Sequence, residues 1–361
     1  MEIRNLVGEE IKEAIHLSDK TFRNDNHVSM GEAFPAVFTK YHNLAYGAFD
    51  QGKLVSFFGL VPYRLKIRDA FLNVFSIGSV CTDPDYRAQG IASRILAEIN
   101  DFIDQADASL LLVSGDRGLY QRNGCYPVGR SYTYNINSAS PTSHIGVIRE
   151  ATTVDFMKIF SLYQQKEVRY ESSIEEWKTL LEAAGYAGIF HLKQSVFVSE
   201  KDGKIHAYVV IGLPNAENPN RNGLVTDWGG DSEAIHTILM DILGKNIISS
   251  MKIKVPWQDN LNRFLTDYEA ADNTIGGTIN IVNPKRLIDQ LYPYLRIIDP
   301  NVEETLIVDD VREGKIHVQY EDIQLTLTKQ EFTNLIFNKD SNPISKLFPI
   351  PFPSTEGIHY V

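Results

Sequence analysis

The chain has 361 residues, 43% of them hydrophobic, with 46 acidic against 35 basic side chains and a formal net charge of −11. That length supports two or three domains with separate cores, and the acidic balance argues against phosphate-backbone binding, so no nucleic-acid partner is expected. No stretch approaches the ~20 apolar residues of a membrane span, and Met1-Glu2-Ile3-Arg4 lacks a signal peptide's apolar core, so no membrane partner and a cytoplasmic location are expected. Two cysteines, Cys81 and Cys125, cannot form a disulfide framework and read as buried free thiols; nine scattered histidines without HExxH-type spacing predict no metal.

Ile3 and Leu6 open a strand, and Ile11, Ala14, Ile15 and Leu17 follow at helical spacing, with His16 given no role. Residues 24–41 mix Asn24, Asp25, Asn26 and Ser29 with Phe34, Phe38 and Tyr41, which reads as a loop and a second helix with an aromatic face. Apolar runs at 44–49 and 54–60 flank the turn Asp50-Gln51-Gly52-Lys53, and 61–67 continues into 71–81 across Arg68-Asp69-Ala70, an antiparallel meander.

The most informative stretch follows. Val74, Phe75, Ile77 and Val80 mark a buried strand, Asp83-Pro84-Asp85 stops it, and Ile91, Ile95, Leu96 and Ile99 restart at helical spacing. Between them Arg87, Gly90 and Ala92 stand at R-x-x-G-x-A spacing, with no acidic residue from Tyr86 to Ala97. Small residues there leave backbone N–H groups uncovered at a helix start, where the helix dipole favours an anion and Arg87 adds a fixed positive charge; a pyrophosphate would fit. This strand, loop and helix resemble the acyl-CoA loop of the GCN5-related N-acetyltransferases, matched at Arg87, Gly90 and Ala92.

The resemblance implies acetyl-CoA as cosubstrate. It implies that Arg87, Ala88, Gln89, Gly90, Ile91, Ala92 and Ser93 hold the pyrophosphate, while Val80, Cys81 and Thr82 pair with the pantetheine arm. It places residues 24–41 on the acceptor side, which makes Phe34 and Phe38 candidate substrate-pocket residues; core packing is the other reading of each. After the short apolar strand at 110–114, Leu119, Tyr120, Gly124 and Tyr126 resemble that family's Leu/Phe-Tyr-x-x-x-Gly-Phe segment. By that resemblance Tyr120 points at the thioester sulfur and donates a proton to the departing thiolate; otherwise it is a core tyrosine.

A polar stretch at 135–144 reads as a linker, after which the pattern starts again. A strand at 146–149, helices at 154–164 and around Trp177, Leu180 and Leu181, and strands at 189–191, 196–199 and 205–211 echo the first unit. At the place of the phosphate loop stand Asp231 and Glu233 with no arginine, so this second copy should not bind CoA, and Asp231 or Ser232 should cap the helix at 235–243. Ile279-Asn280-Ile281-Val282 then runs into a helix with Asn283 as cap and Pro284 in its first turn. Strands at 304–309, 315–320 and 323–328 follow, then a helix with a Thr328/Glu331 capping box and a proline-stiffened end.

The expected fold is mixed α/β, of α+β type. Residues 1–137 form a catalytic acetyltransferase domain, 145–282 a degenerate copy, and 283–361 a small α+β domain. The order resembles the enhanced-intracellular-survival acetyltransferases, which implies a sterol-carrier-like last domain, a homo-oligomer, and a C-terminal carboxylate reaching the first domain's active site, here that of Val361. Asp116 and Arg117 read as solvent-facing loop residues. The expected function is acetyl transfer to a primary amine of a small molecule or peptide, such as a polyamine, an aminoglycoside or a lysine. The alternative is a non-catalytic acyl-CoA-sensing or lipid-binding adaptor.

Overall fold

The computed structural model describes residues 1–361 apart from 25–26, 40–43, 117, 141–145, 217, 220, 312–313 and 339–342, and only the backbone of 310 and 311. Tyr41, Arg117 and residues 141–144 of the expected linker therefore lie outside the described residues.

In chain order the first unit comprises β1 (Glu2–Asn5), α1 (Glu10–Phe22), α2 (Met30–Ala33), β2 (Tyr46–Asp50), β3 (Lys53–Ile67), β4 (Ala70–Thr82), α3 (Ile91–Gln105), β5 (Leu110–Val113) and α4 (Gly118–Arg122). The second has β6 (Ser131–Ile136), β7 (Val147–Glu150), α5 (Phe156–Gln164), β8 (Val168–Glu171), α6 (Ile174–Ala183), α7 (Gly185–Ile189), β9 (Lys193–Lys201), β10 (Lys204–Leu213), β11 (Gly223–Gly230), α8 (Ser232–Gly244), β12 (Met251–Pro256), β13 (Ala270–Asn273) and β14 (Thr278–Ile281). The third has α9 (Pro284–Ile298), α10 (Val302–Thr305), β15 (Leu306–Val311), β16 (Lys315–Tyr320), β17 (Ile323–Thr328) and α11 (Lys329–Phe337).

Among the described residues, these strands form one sheet in the order β1-β2-β3-β4-β5-β14 with β8 also on β3, a second in the order β13-β6-β12-β11-β10-β9-β7, and a third, β15-β16-β17. The units exchange strands. β6 lies in the second sheet, antiparallel to β12 from Met251↔Ile136 to Pro256↔Ser131, and β14 returns to the first, antiparallel to β5 from Thr278↔Val113 to Ile281↔Leu110. The ranges 1–137 and 145–282 thus follow the chain but not the sheets, because hydrophobic periodicity marks a strand without naming its partner.

The first sheet has two buried faces. Phe75, Ile77, Leu111 and Val113 pack under the α3 stripe Ile91, Ile95, Leu96, Ile99 and Ile103. On the opposite face Val74, Leu110 and Leu112 meet Ile11, Ala14 and Leu17 of α1 and Leu287, Ile288 and Leu291 of α9. That second layer continues into Val308, Ile316, Val318, Phe332 and Ile336, so the third unit shares its core with the first instead of having one of its own. Other differences are local. Residues 54–67 are one strand, 189–191 is the end of α7 and a turn instead of a strand, and the second helix of 24–41 is the single turn α2.

After α11 the chain runs as a tail between the sheets. Ile350 N donates to Ile336 O at 2.9 Å, Gln258 Nε2 to Phe352 O at 2.8 Å, and Thr355 Oγ1 to Gly276 O at 2.8 Å. Glu356 pairs with Lys254 at 2.9 Å. His359 is stacked on Tyr170 at 4.5 Å between ring centres, with its Nε2 2.8 Å from Ser172 Oγ. Burial, helped by the positive charge of Lys166, pushes the His359 pKa down to about 3, so the imidazole sits neutral in an aromatic box with Tyr63 and Tyr163.

Candidate active site

β4 and β5 are parallel neighbours from Val74↔Leu110 to Ile77↔Val113 and pair no further. The cause is on the other edge of β4, where Gly59↔Gly78 is followed by Phe57↔Cys81: β4 carries one extra residue, and Ser79 sits at φ +54. Such a bulge bends the strand. A cavity of about 400 Å³ opens where the strands part, lined by Ile77, Gly78, Ser79 and Val80 of β4 and by Ser114 and Gly115 after β5. The Ser79 hydroxyl is buried there without a hydrogen-bond partner.

Two of the expected reactive groups reach this cavity. Tyr120, buried on α4, lines it, with Cε2 3.2 Å from where a Cβ on Gly115 would stand. Val361 lines it as well, and a Cβ on Gly78 would lie 2.6 Å from the terminal oxygen of Val361 and would overlap its carboxyl carbon. Glycine at 78 is therefore required by the chain end that lies on it. Tyr360 packs between Phe34 at 6.2 Å and Tyr186 at 4.9 Å, and burial raises its pKa against a hydrogen bond to Ser114.

The loop before α3 is bare. Gly90 occupies the helix N-cap at φ +73, a Cβ there would meet nothing within 4 Å, and neither a capping side chain nor an acidic residue stands in the first turn. The N–H groups of Ile91, Ala92 and Ser93 precede the first intrahelical donor, Arg94 N, which donates to Gly90 O at 3.2 Å, so they lie without intrahelical partners at the positive end of a 15-residue helix. Arg87, exposed, donates from Nε to Thr82 O at 3.1 Å, Gln89 donates to Asp85 O at 3.2 Å, and Ala88 is at φ +60. The acidic neighbour Asp83 caps the preceding turn through Asp85 N at 3.2 Å and pairs with Lys53 at 3.5 Å.

A family model for the acetyltransferase (GNAT) domain matches residues 2–128, ending where the chain leaves the first sheet for β6. Solved structures match over nearly the whole chain. A GCN5-related N-acetyltransferase from Anabaena variabilis has a TM-score of 0.70 at 12% identity, covering 99% of each chain. Eis1 from Mycobacterium abscessus scores 0.62 at 14% identity, over 90% of this chain and 84% of that one. Residues 2–128 thus match the GNAT domain, and the fold of the chain is similar to that of Eis1. A probable N-acyltransferase from Enterococcus faecalis V583 gives 0.65 at 14% identity, over 91% and 84%. No curated protein matches the chain in sequence.

Within the GNAT domain the remaining expected residues divide. Val80 lines the cavity, and Thr82, half-buried, shares a 2.8 Å hydrogen bond with Ser56. The Cys81 side chain turns into the core, where burial pushes the thiol up to about 11; Cys125, also buried, is pushed up to about 12. Only the backbone of Cys81 is available to a ligand. Phe34 lines the cavity, whereas Phe38 is stacked on Phe57 at 5.4 Å and belongs to the core, so the expected pair is split. Asp116 is exposed, as expected of a loop residue. Sequence reasoning missed Gly78, Ser79, Arg23 and His27, all of which line the cavity. A glycine inside a strand pattern is a signal of bulge or close approach and could have marked Gly78; nothing local marks Arg23. Among the described residues no His, Cys, Asp and Glu cluster could hold a metal, and no helix is long and apolar enough to cross a membrane.

Proposed function

We propose that this protein transfers the acetyl group of acetyl-CoA to a primary amine of a small molecule or peptide. The observation that carries the reading is that Tyr120 and the Val361 chain end line one cavity, opened by the bulge in β4, the strand that leads into the bare N-terminus of α3. The thioester supplies an activated acyl carbon; the chain supplies the rest. Arg87 and the first-turn N–H groups of α3 hold the pyrophosphate, and the edge of β4 from Val80 to Thr82 takes the pantetheine arm as an added strand. A backbone N–H at the bulge polarises the thioester carbonyl. The carboxylate of Val361, with a reference pKa of ~3.5, is ionised at neutral pH and accepts the amine proton as the C–N bond forms. Tyr120 gives its phenolic proton to sulfur as the C–S bond breaks.

The test follows free thiol release from acetyl-CoA with a panel of amines, for the native chain and for one carrying a few residues after Val361. The extension should lower turnover by about 10²- to 10⁴-fold with CoA affinity unchanged, the usual worth of a positioned proton acceptor. Unchanged turnover with the same pH profile would remove the carboxylate from the mechanism. Tight acetyl-CoA binding with no thiol release from any amine would point instead to an acyl-CoA sensor.

A further inference from the structure

Arg23 is the one cationic side chain among the cavity's described lining residues, and nothing in the chemistry above uses it. It caps the C-terminus of α1 with extended backbone (φ −113, ψ 156), and its guanidinium lies 5.5 Å from the centre of the Phe34 ring. Its Nε and Nη2 are both buried without a hydrogen-bond partner. The nearby Asp19 does not close an ion pair with it; that carboxylate accepts from Ser29 Oγ at 2.9 Å and Met30 N at 2.6 Å. Leaving two donors of a fixed cation buried and unmet is unfavourable, and such groups ordinarily have a partner.

The identity of the two atoms is informative. Nε and Nη2 form one edge of the planar guanidinium, the edge that meets both oxygens of a carboxylate side-on. Beside Arg23 the lining offers the apolar Met30, Phe34 and Ile77, the uncharged polar groups of Ser79, Ser114 and Tyr120, and the terminal carboxylate of Val361. His27, stacked on His191 at 4.1 Å, accepts from Asn24 N at its Nδ1, and burial, His191 and Arg23 together lower its pKa. Fixed charges of opposite sign in one small cavity, whose other described lining groups carry no fixed charge, suit a molecule that is itself a zwitterion. A polyamine or aminoglycoside would set its further ammonium groups against Arg23.

We propose that the acceptor is an amino acid or short amino-carboxylate, its carboxylate held side-on by Arg23 and its amine presented to Val361. This rests on the acetyltransferase reading for the amine end only. Arg23 would then determine specificity, and the acidic charge of the whole chain would say nothing about the pocket.

The experiment measures binding by calorimetry to CoA-saturated protein, using pairs that differ only in the carboxylate: leucine and 3-methylbutylamine, phenylalanine and 2-phenylethylamine, 6-aminohexanoate and pentylamine. In at least one pair the carboxylate member should bind about ten- to a hundred-fold more tightly, as a charge-assisted bidentate pair implies. Arg23→Gln should abolish that preference, and Arg23→Lys should keep part of it. Arg23→Gln should also leave the melting temperature of the ligand-free protein unchanged or raised, since it removes two buried and unmet donors, whereas a guanidinium that served stability alone would lower it. The proposal is overturned if no pair shows the preference or if Arg23→Gln retains it. Thiol release on the same panel separates the two readings: carboxylate-selective binding without turnover would sink the acetyltransferase and leave Arg23 as assigned, and turnover without selectivity would do the reverse.

Discussion

The first and second sheets each contain a pair of parallel strands that part, but they part onto different chemistry. β4 and β5 separate after Ile77↔Val113, and β11 and β12 are paired only at Gly223↔Met251 and Leu224↔Lys252. A helix follows each inner strand. At α3 the cap is Gly90, with no side chain to accept from the first turn; at α8 the cap is Asp231, which accepts from Ala234 N at 2.9 Å, and Glu233 adds a second negative charge. The cleft at the start of α8, lined by Gly230 and Ser232, is even the larger, about 670 Å³ against about 400 Å³. Volume does not decide which cleft takes an acyl-CoA. What differs is whether the helix start is already satisfied by its own carboxylate or left for an anion from outside.

The most severe way to break the contrast is to give the first loop what the second has. In Gly90→Asp a carboxylate would stand at the open N-terminus of α3, where space exists for it, since a Cβ there meets nothing within 4 Å. Aspartate tolerates the left-handed conformation better than most residues, so the fold should survive. CoA affinity should fall by roughly 10³-fold or more, through charge repulsion and self-capping of the helix. Calorimetry on the folded variant checks this, and retained affinity would mean that the pyrophosphate lies elsewhere.

The second contrast is in the ends of the chain. The tail crosses the second unit yet delivers Val361 to the first, and His359 is the side chain that anchors it, 7% exposed among Tyr63, Tyr163 and Tyr170. Its folded pKa of about 3 lies below the ordinary value of 6.5. Between those values the unfolded chain takes up a proton that the folded one refuses, so this contribution is full above pH 6.5 and is lost as pH falls toward 3. Relative to His359→Gln, the native protein should therefore lose on the order of 1 kcal/mol per pH unit of additional stability below pH 6.5. Urea unfolding of both proteins at pH 7.5 and 5 checks the slope; parallel pH dependence would show that the box admits a charged imidazole.

Much of this was legible in the sequence where the signal is local. The R-x-x-G-x-A loop, the Asp231 cap, the Asn283 cap with Pro284 behind it and the Thr328/Glu331 capping box all depend on neighbours within a few residues, and each stands where spacing put it. The strand exchange was not legible, because β6 and β14 look like ordinary strands and their partners are more than a hundred residues away. Phe34 and Phe38 are four residues apart in one aromatic run, and only the tertiary packing separates the first, on the cavity, from the second, stacked on Phe57. Arg23 was invisible for the opposite reason. An arginine after a helix usually has solvent or a carboxylate to meet, and that this one has neither partner on Nε and Nη2 appears only when the fold closes around it.

The smallest expected effect sharpens the comparison from the other side. If Asp231 is a structural cap and nothing more, Asp231→Ala should cost about 1 kcal/mol of stability, the ordinary worth of an aspartate at that position, because Ala234 N loses its acceptor. It should not turn the second cleft into a CoA site, since Glu233 remains in the first turn and no arginine follows β11 as Arg87 follows β4. Urea unfolding gives the stability, and calorimetric titration with CoA gives the stoichiometry, expected to stay at one per chain in both proteins. A second equivalent site in the variant would show that one carboxylate alone had kept the two clefts apart. A second site already present in the native chain would mean that an anion can displace the cap, and the bare loop at Gly90 would then no longer distinguish the units.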